Sequence, residues 1–238
     1  MRLQGKTAFI TGGSKGIGLA VAAALVGAGA RVTIGARTQE EVRAAAERLD
    51  DRGPGDALGV VCDVRDYDSV RDAVAQHVER FGGLDIMVAN AGVGSSAPVD
   101  ELRPEDWRRV IDTNLTGAFY TVRASVDELK KSEGYLFTIG SLAGVNYHAG
   151  MSAYNASKAG LLGFSHAVML DLRKHGVKVT TVMPGSVATH FGGSEPTDAE
   201  AWKIQPEDLA EMILYLLSVP PRTLPSKVEV RPSQPPRR

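Results

Sequence analysis

The chain has one cysteine, Cys62, among its 238 residues, so it can form no internal disulfide and no cysteine-based zinc site. Cys62 follows Val60-Val61 in an apolar run and reads as a small buried hydrophobe. The five histidines, His77, His148, His166, His175 and His190, share no ligand spacing, and no catalytic metal is expected. An excess of one charge is also lacking: 27 basic against 28 acidic residues leave a formal net charge of −1. That balance gives no electrostatic footprint for nucleic acid or for an anionic membrane. No apolar run reaches the length of a membrane span, and a strand-like segment begins within a few residues of Met1. The expectation is a cytoplasmic protein with neither nucleic acid nor membrane as partner. Hydrophobic residues make up 43% of the chain, enough to bury the core of one α/β domain and to argue against disorder.

Strand-like and helix-like stretches alternate from end to end. Apolar runs at Lys6 to Thr11, Arg31 to Ala36, Ala57 to Cys62, Leu84 to Ala89, Tyr135 to Ile139, Val177 to Met183 and Lys227 to Val230 read as seven strands. Between them lie helical faces. Val70, Ala73, Val74, His77, Val78 and Phe81 fall at helical spacing, and His77 on that stripe reads as a packed residue. Trp107, Val110, Ile111, Asn114, Leu115, Ala118, Phe119 and Val122 read as one long helix, and Leu209, Met212, Ile213, Leu216 and Leu217 as the last. Such alternation predicts a single-domain, Rossmann-like, doubly wound and mostly parallel seven-stranded sheet with helices on both faces and right-handed crossovers. Residues 1–230 form the predicted domain. Residues 186–205, with little periodicity, Gly192-Gly193, Phe191 and Trp202, read as a lid over the site. Residues 231–238, rich in Pro and Arg, read as a loose tail.

Between the first strand and the first helix stands T-G-G-S-K-G-I-G, Thr11 to Gly18. Backbone amides at a helix start, with the positive end of the helix dipole, favour an anion such as a pyrophosphate. Gly12 allows a tight turn, Gly16 a close approach of phosphate to the backbone, and Gly18 close packing of the helix. The spacing G-x-x-x-G-x-G departs from the commoner G-x-G-x-x-G, and a glycine turn alone is weak evidence.

Tyr154 and Lys158 are four residues apart in a stretch, Met151 to about Lys174, of helical composition, so they share a helix face. A phenol beside an ammonium has a lowered pKa, and a place in the first helical turn adds the pull of the dipole. Bringing that pKa towards the working pH is what general acid–base chemistry needs. Ser141, just beyond the strand Tyr135 to Ile139, can donate to an oxygen the tyrosine approaches. A Tyr-x-x-x-Lys pair alone also describes a half-buried ring beside a solvated lysine. Asn114 on an apolar stripe needs its hydrogen bonds met, locally or in a polar network.

Taken in this order, the motifs resemble the short-chain dehydrogenase/reductase family over nearly the whole chain. Thr11 to Gly18 is similar to that family's T-G-x-x-x-G-x-G loop, Asn90-Ala91-Gly92 to its N-A-G, Asn114 to its helix asparagine, and Tyr154 to Lys158 to its Y-x-x-x-K. Ser141 falls thirteen positions before the tyrosine, where the family keeps a catalytic serine, and Pro184-Gly185 with Val187 and Thr189 matches P-G-x-V-x-T. The resemblance implies that Tyr154 is the acid in reduction, that Lys158 lowers its pKa and binds the nicotinamide ribose, that Ser141 orients the carbonyl and that Asn114 holds a water. Cofactor contacts are implied for Gly12, Ser14, Lys15, Gly16, Ile17, Gly18, Arg37, Asp63, Val64, Asn90, Ala91, Gly92, Tyr154, Lys158, Pro184, Gly185, Val187 and Thr189. Asp63 would meet the adenine, though an Asp there also starts turns. No acid ends the second strand, and Arg37 follows it at once. Arg37 with Lys15 therefore points to the 2′-phosphate of NADP(H) rather than to NAD. The C-terminus departs from the family pattern: Val228-Glu229-Val230 runs into Arg-Pro-Ser where many members have Asp-Gly-Gly. A homodimer through the helices of Asn114 and Tyr154 is the firmer expectation, a homotetramer the weaker.

The function expected is hydride transfer between NADP(H) and a small-molecule carbonyl or secondary alcohol. A 3-oxoacyl thioester reductase would use the same four residues, and a non-catalytic nucleotide-binding sensor would use the same fold. Tyr147, His148, Met151, Met183, His190, Phe191 and Trp202 fall in stretches bordering the expected pocket. Their mostly apolar character points to a hydrophobic substrate.

Overall fold

β-Branched and aromatic residues are frequent in the strands, and the central ones alternate their side chains between two buried faces, whereas the edge strands are only partly covered. The computed structural model describes residues 3–189, 191, 197 and 200–234. Its strands are β1 (Thr7–Thr11), β2 (Arg31–Ala36), β3 (Asp56–Val61), β4 (Ile86–Ala89), β5 (Tyr135–Ile139), β6 (Lys178–Pro184) and β7 (Lys227–Val230). They form one sheet in the order β3-β2-β1-β4-β5-β6-β7, every pair parallel. Ala8 of β1 stands opposite both Val32 of β2 and Ile86 of β4. The strand order reverses between β1 and β4, which opens a crevice at their carboxyl ends.

Helices α1 (Gly16–Gly27), α2 (Gln39–Asp50) and α7 (Pro206–Ser218) cover one face of the sheet. There Val21, Leu25, Leu49, Leu209 and Ile213 pack on Ile10, Ile34, Val88 and Phe137. Helices α3 (Tyr67–Phe81), α5 (Gly117–Ser132) and α6 (Ser152–Leu172) cover the other, where Val70, Val122, Leu129 and Met169 meet Phe9, Val60, Met87 and Leu136. Neighbours Phe9 and Ile10 thus serve opposite cores, as the two-residue period of a strand requires. The architecture is the predicted one, a Rossmann-like doubly wound domain. Cys62 is buried, and burial pushes its thiol up to about 12. His77 is fully buried with its Nδ1 2.7 Å from Thr33 Oγ1, and burial pulls it down to about 4.

The structure departs from the sequence reading in the helix carrying Asn114. The expected single helix is divided into α4 (Pro104–Ile111), a π-helical turn (Asp112–Thr116) and α5. A turn of this kind inserts an extra residue and re-aims the side chains around it. Phe119 and Trp107, expected on the packed stripe, are instead 47% and 41% exposed. Among the described residues no helix is long and apolar enough to cross a membrane.

Candidate active site

The glycine turn is shaped by contacts that leave no room for side chains. Gly12 has φ +66°, and a Cβ there would lie 2.9 Å from Ala91 Cα. A Cβ on Gly18 would fall 2.4 Å from the Gly12 carbonyl oxygen and 2.5 Å from Asn90 Nδ2. Gly18 therefore admits the turn and the end of β4, a closer neighbour than the sheet as a whole. Asn90 closes the arrangement: its Nδ2 donates to the carbonyls of Thr11 (2.9 Å) and Gly12 (3.0 Å). Its backbone N–H and that of Ala91 donate to Thr11 Oγ1. Asn90 is thus first a lock on the loop. Helix α1 starts after Lys15 with no side-chain cap and no acid in its first turn. Its first amides, those of Gly16 and Ile17, are left for an outside acceptor, which suits a pyrophosphate.

Beyond β2 the charges gather at the surface. Arg37 and Lys15 are exposed, and Arg37 acts electrostatically on Asp63. Arg65, which the sequence reading passed over, grips Asp63 with its guanidinium: Nε is 3.0 Å from Oδ1 and the nearer terminal nitrogen 2.5 Å from Oδ2. This pairing holds the Asp63 carboxyl below its ordinary range. Asp63 Oδ1 also accepts from the Arg65 backbone N–H at 3.0 Å, so Asp63 does build the turn. The Val64 side chain is buried, and a Cβ on Gly117 would meet it at 2.8 Å. Only the backbone of Val64 is left for a ligand. Glu41, in the first turn of α2, lies 3.5 Å from the Ser14 hydroxyl. It faces, with Lys15, an open groove of about 700 Å³. No local pattern in the sequence signals that approach.

The catalytic candidates converge beyond β4 and β5. Helix α6 is tied to the sheet by hydroxyls: Thr138 Oγ1 is 2.9 Å from Ser165 Oγ and donates to Thr181 Oγ1 at 3.1 Å. This anchoring sets Tyr154 in the first turn of α6 and Lys158 one turn on. Lys158 is buried, its Nζ donating to the Ile139 carbonyl at 2.8 Å and lying 5.8 Å from the centre of the Tyr154 ring. Ser141 Oγ accepts from Ala143 N–H at 3.1 Å, which leaves its proton free to be donated. Asn114 Oδ1 accepts from Val93 N–H (2.8 Å), while Nδ2 donates to Val93 O (2.9 Å) and to Ser157 Oγ (3.0 Å). Both amide hydrogens of Asn114 are committed. A Cβ on Gly92 would sit 3.4 Å from Asn114 Oδ1 and 3.7 Å from Lys158 Nζ, so the three meet closely.

The electrostatics differ from the expectation drawn from the Tyr154/Lys158 spacing. Burial raises the Tyr154 phenol above its ordinary value, with the Ser141 hydroxyl pulling it partly back. Burial also lowers Lys158 to about 8. The reason is that both groups are desolvated by the packing around them.

The expected lid is tied at its base. Val187 and Ile204 form a parallel bridge, with Ala188 N–H donating to Ile204 O and Ile204 N–H to Ser186 O. Pro184 ends β6, Gly185 N–H donates to Val230 O, and Thr189 lies 3.6 Å from where a Gly16 Cβ would be. The Pro-Gly-x-Val-x-Thr segment is thereby brought beside the glycine turn. Phe191 lies 5.5 Å from Tyr154, centre to centre, and so close to Gly94 that a Cβ there would meet its ring at 2.8 Å. Tyr147 is 69% exposed, whereas Met183 is buried and packs in the core. His190, Gly192-Gly193 and tail residues 235–238 lie outside the described residues.

A doubly wound parallel sheet with this cluster at its carboxyl edge makes the domain Rossmann-like. The model of the short chain dehydrogenase family matches residues 6–200, and the chain belongs to the short-chain dehydrogenase/reductase family, whose members use a nicotinamide cofactor. It is 34% identical over 229 residues to the trans-4-hydroxycyclohexanecarboxylate dehydrogenase of Sinomonas cyclohexanicum, covering 91% of this chain and 87% of that protein. Among solved structures it resembles an alcohol dehydrogenase from the archaeon Thermococcus sibiricus complexed with 5-hydroxy-NADP. That likeness has a TM-score of 0.92 at 29% identity, over 98% of this chain and 99% of the other. A metagenomic short-chain oxidoreductase in complex with NADP matches with a TM-score of 0.85 at 33% identity, over 98% and 99% of the two chains.

Proposed function

We propose that the protein is an NADP(H)-dependent carbonyl reductase or secondary-alcohol dehydrogenase with Tyr154 as its general acid and base. The observation that carries the reading is the convergence of Ser141, Tyr154, Lys158 and Asn114 beside the glycine turn. A bound nicotinamide supplies or accepts the hydride. Ser141, whose oxygen already accepts from Ala143 N–H, donates its proton to the substrate oxygen and holds it against the phenol. Tyr154 then gives its proton to that oxygen in reduction and takes it back in oxidation. Lys158 spends one hydrogen on Ile139 O and has two left for the nicotinamide ribose and the phenol. When the phenol ionises, its charge favours the protonated lysine, and the depressed lysine pKa rises again. Asn114, with both amide hydrogens used, can hold a water only through an oxygen.

NADP(H) is favoured over NAD(H) by Arg37 and Lys15 and by the lack of an acid at the end of β2. Charge-assisted hydrogen bonds from two cations to a doubly charged phosphate are worth about 1.5–3 kcal/mol each. Glu41 works against them, and we expect a net preference of about tenfold in kcat/KM, equivalent to about 1.4 kcal/mol. Two relatives of known structure were seen with NADP or its 5-hydroxy form. The substrate is a carbonyl compound or secondary alcohol with an apolar body, fitting Phe191 and Gly94 beside Tyr154. We also read the chain as a homodimer through α5 and α6, where Phe119 and Leu170 stand 47% and 56% exposed, with a homotetramer the further possibility.

The test follows NADPH absorbance against a panel of ketones, aldehydes and diketones, with trans-4-hydroxycyclohexanecarboxylate and NADP for the reverse direction. Turnover with at least one pair, lost in Tyr154→Phe, is the expected result. A protein that binds NADPH and turns over nothing in the panel overturns the reading in favour of a nucleotide-binding sensor.

A further inference from the structure

Ser157, one residue before the lysine, was singled out by no motif, yet it makes two hydrogen bonds at the centre of the site. It is fully buried. Its Oγ donates to the Tyr154 carbonyl at 2.8 Å and accepts from Asn114 Nδ2 at 3.0 Å. A hydroxyl has one proton to give. With that proton on the Tyr154 carbonyl, the oxygen can only accept from Asn114, which assigns the amide its orientation. The same orientation serves Val93, whose N–H donates to Oδ1 and whose carbonyl accepts from Nδ2. An unbroken line of hydrogen bonds therefore runs from the loop after β4, through the π-helical turn, to the first turn of α6.

We infer that Ser157 is a positioning residue for the reaction, tying Asn114 to the helical turn that carries Tyr154. The inference rests on the reading of Tyr154 as general acid. Its physical basis is the cost of a buried donor without an acceptor. Asn114 is 1% exposed, so with the Ser157 hydroxyl removed one of its amide hydrogens has no acceptor and no water. The amide must then turn or shift, and its grip on Val93 goes with it. The loop after β4 carries Gly92, which approaches both Asn114 and Lys158. A shift there reaches the reacting groups, although Ser157 itself touches none of their functional atoms.

The experiment is a double-mutant cycle in the NADPH-dependent reduction of the fastest carbonyl of the panel above, comparing wild type, Ser157→Ala, Asn114→Ala and the double variant. We expect Ser157→Ala to lower kcat by about tenfold or more while the KM for NADPH stays within about threefold. On the Asn114→Ala background the same change should do almost nothing, because the two act through one bond. Ser157→Thr keeps a hydroxyl able to bond the preceding turn and should restore kcat to within about threefold of wild type. Ser157→Val has the same shape without the hydroxyl and should stay slow. The Thr/Val pair decides the matter even if Ser157→Ala does not fold. A kcat for Ser157→Ala within about twofold of wild type, effects that multiply in the double variant, or equal rates for Thr and Val overturn the inference. Activity retained in Tyr154→Phe, or a wild type that reduces nothing in the panel, overturns instead the reading beneath it.

Discussion

The two ends of the crevice are built on opposite principles. At the β2–β3 end the polar groups are charged and open to water: Arg37 and Lys15 are exposed, and the Arg65–Asp63 pair keeps 42% and 29% of its side-chain surface. At the β4–β6 end they are buried, with Ser157, Asn114 and Lys158 at 0%, 1% and 5%. Exposed charges act through a screened field and contribute small, nearly additive amounts. Buried groups must satisfy one another, so losing one disturbs its partners by more than its own bond. The inner end should therefore respond to substitution steeply and non-additively, the outer end gently and in a salt-dependent way.

The largest effect is expected at Tyr154. Tyr154→Phe should keep NADPH binding, measured by fluorescence titration, and lose turnover by about 10²–10⁴. Activity within a few-fold of wild type would place the acid elsewhere.

Next in size is the pH dependence that Lys158 lends to stability. Its folded pKa, about 8, lies below its ordinary 10.5, so between those values the unfolded chain binds more protons than the folded one. The unfolding free energy must then rise with pH across that window. Denaturant titrations of wild type and Lys158→Met should differ progressively from pH 8 to 10.5, in favour of wild type, by about 3 kcal/mol in all. A constant difference would mean that Lys158 is better solvated than its burial implies.

Smaller is the cofactor preference. Replacing Lys15 and Arg37 together with Ala should raise the KM for NADPH by about tenfold and leave that for NADH nearly unchanged, with each single variant giving part of the loss. The wild-type preference should shrink as salt is added. Equal losses with both cofactors would remove the 2′-phosphate assignment and blur the contrast between the two ends.

The smallest effect is expected at Glu41. Its carboxylate beside Ser14 opposes an incoming phosphate, and Glu41→Gln should raise the NADPH preference by about two- to threefold, seen in the ratio of the two kcat/KM values. A fall in that ratio would show that Glu41 instead orients the loop for the phosphate.

Much of this molecule could be read from the chain because the signals are local. The two-residue alternation of strands and the helical spacing of Val70, Val74 and Phe81 are properties of neighbours in sequence, and β2, β5 and β7 lie at Arg31–Ala36, Tyr135–Ile139 and Lys227–Val230 as read. Gly12 and Gly18 mark a turn wherever they occur together with a helix start, and the Tyr154/Lys158 spacing sets two side chains on one face whatever lies around them. By contrast, the π-helical turn at Asp112–Thr116 has no local signature; Asn114 holds it against Val93 from 21 residues away. Likewise, only the folded chain brings Ser157 to Asn114, Glu41 to Ser14 and Phe191 to Tyr154. The pKa directions of Tyr154 and Lys158 also waited on the fold. Spacing specifies which side chains are neighbours, but desolvation depends on everything packed around them, and at Tyr154 burial outweighs the pull of the Ser141 hydroxyl.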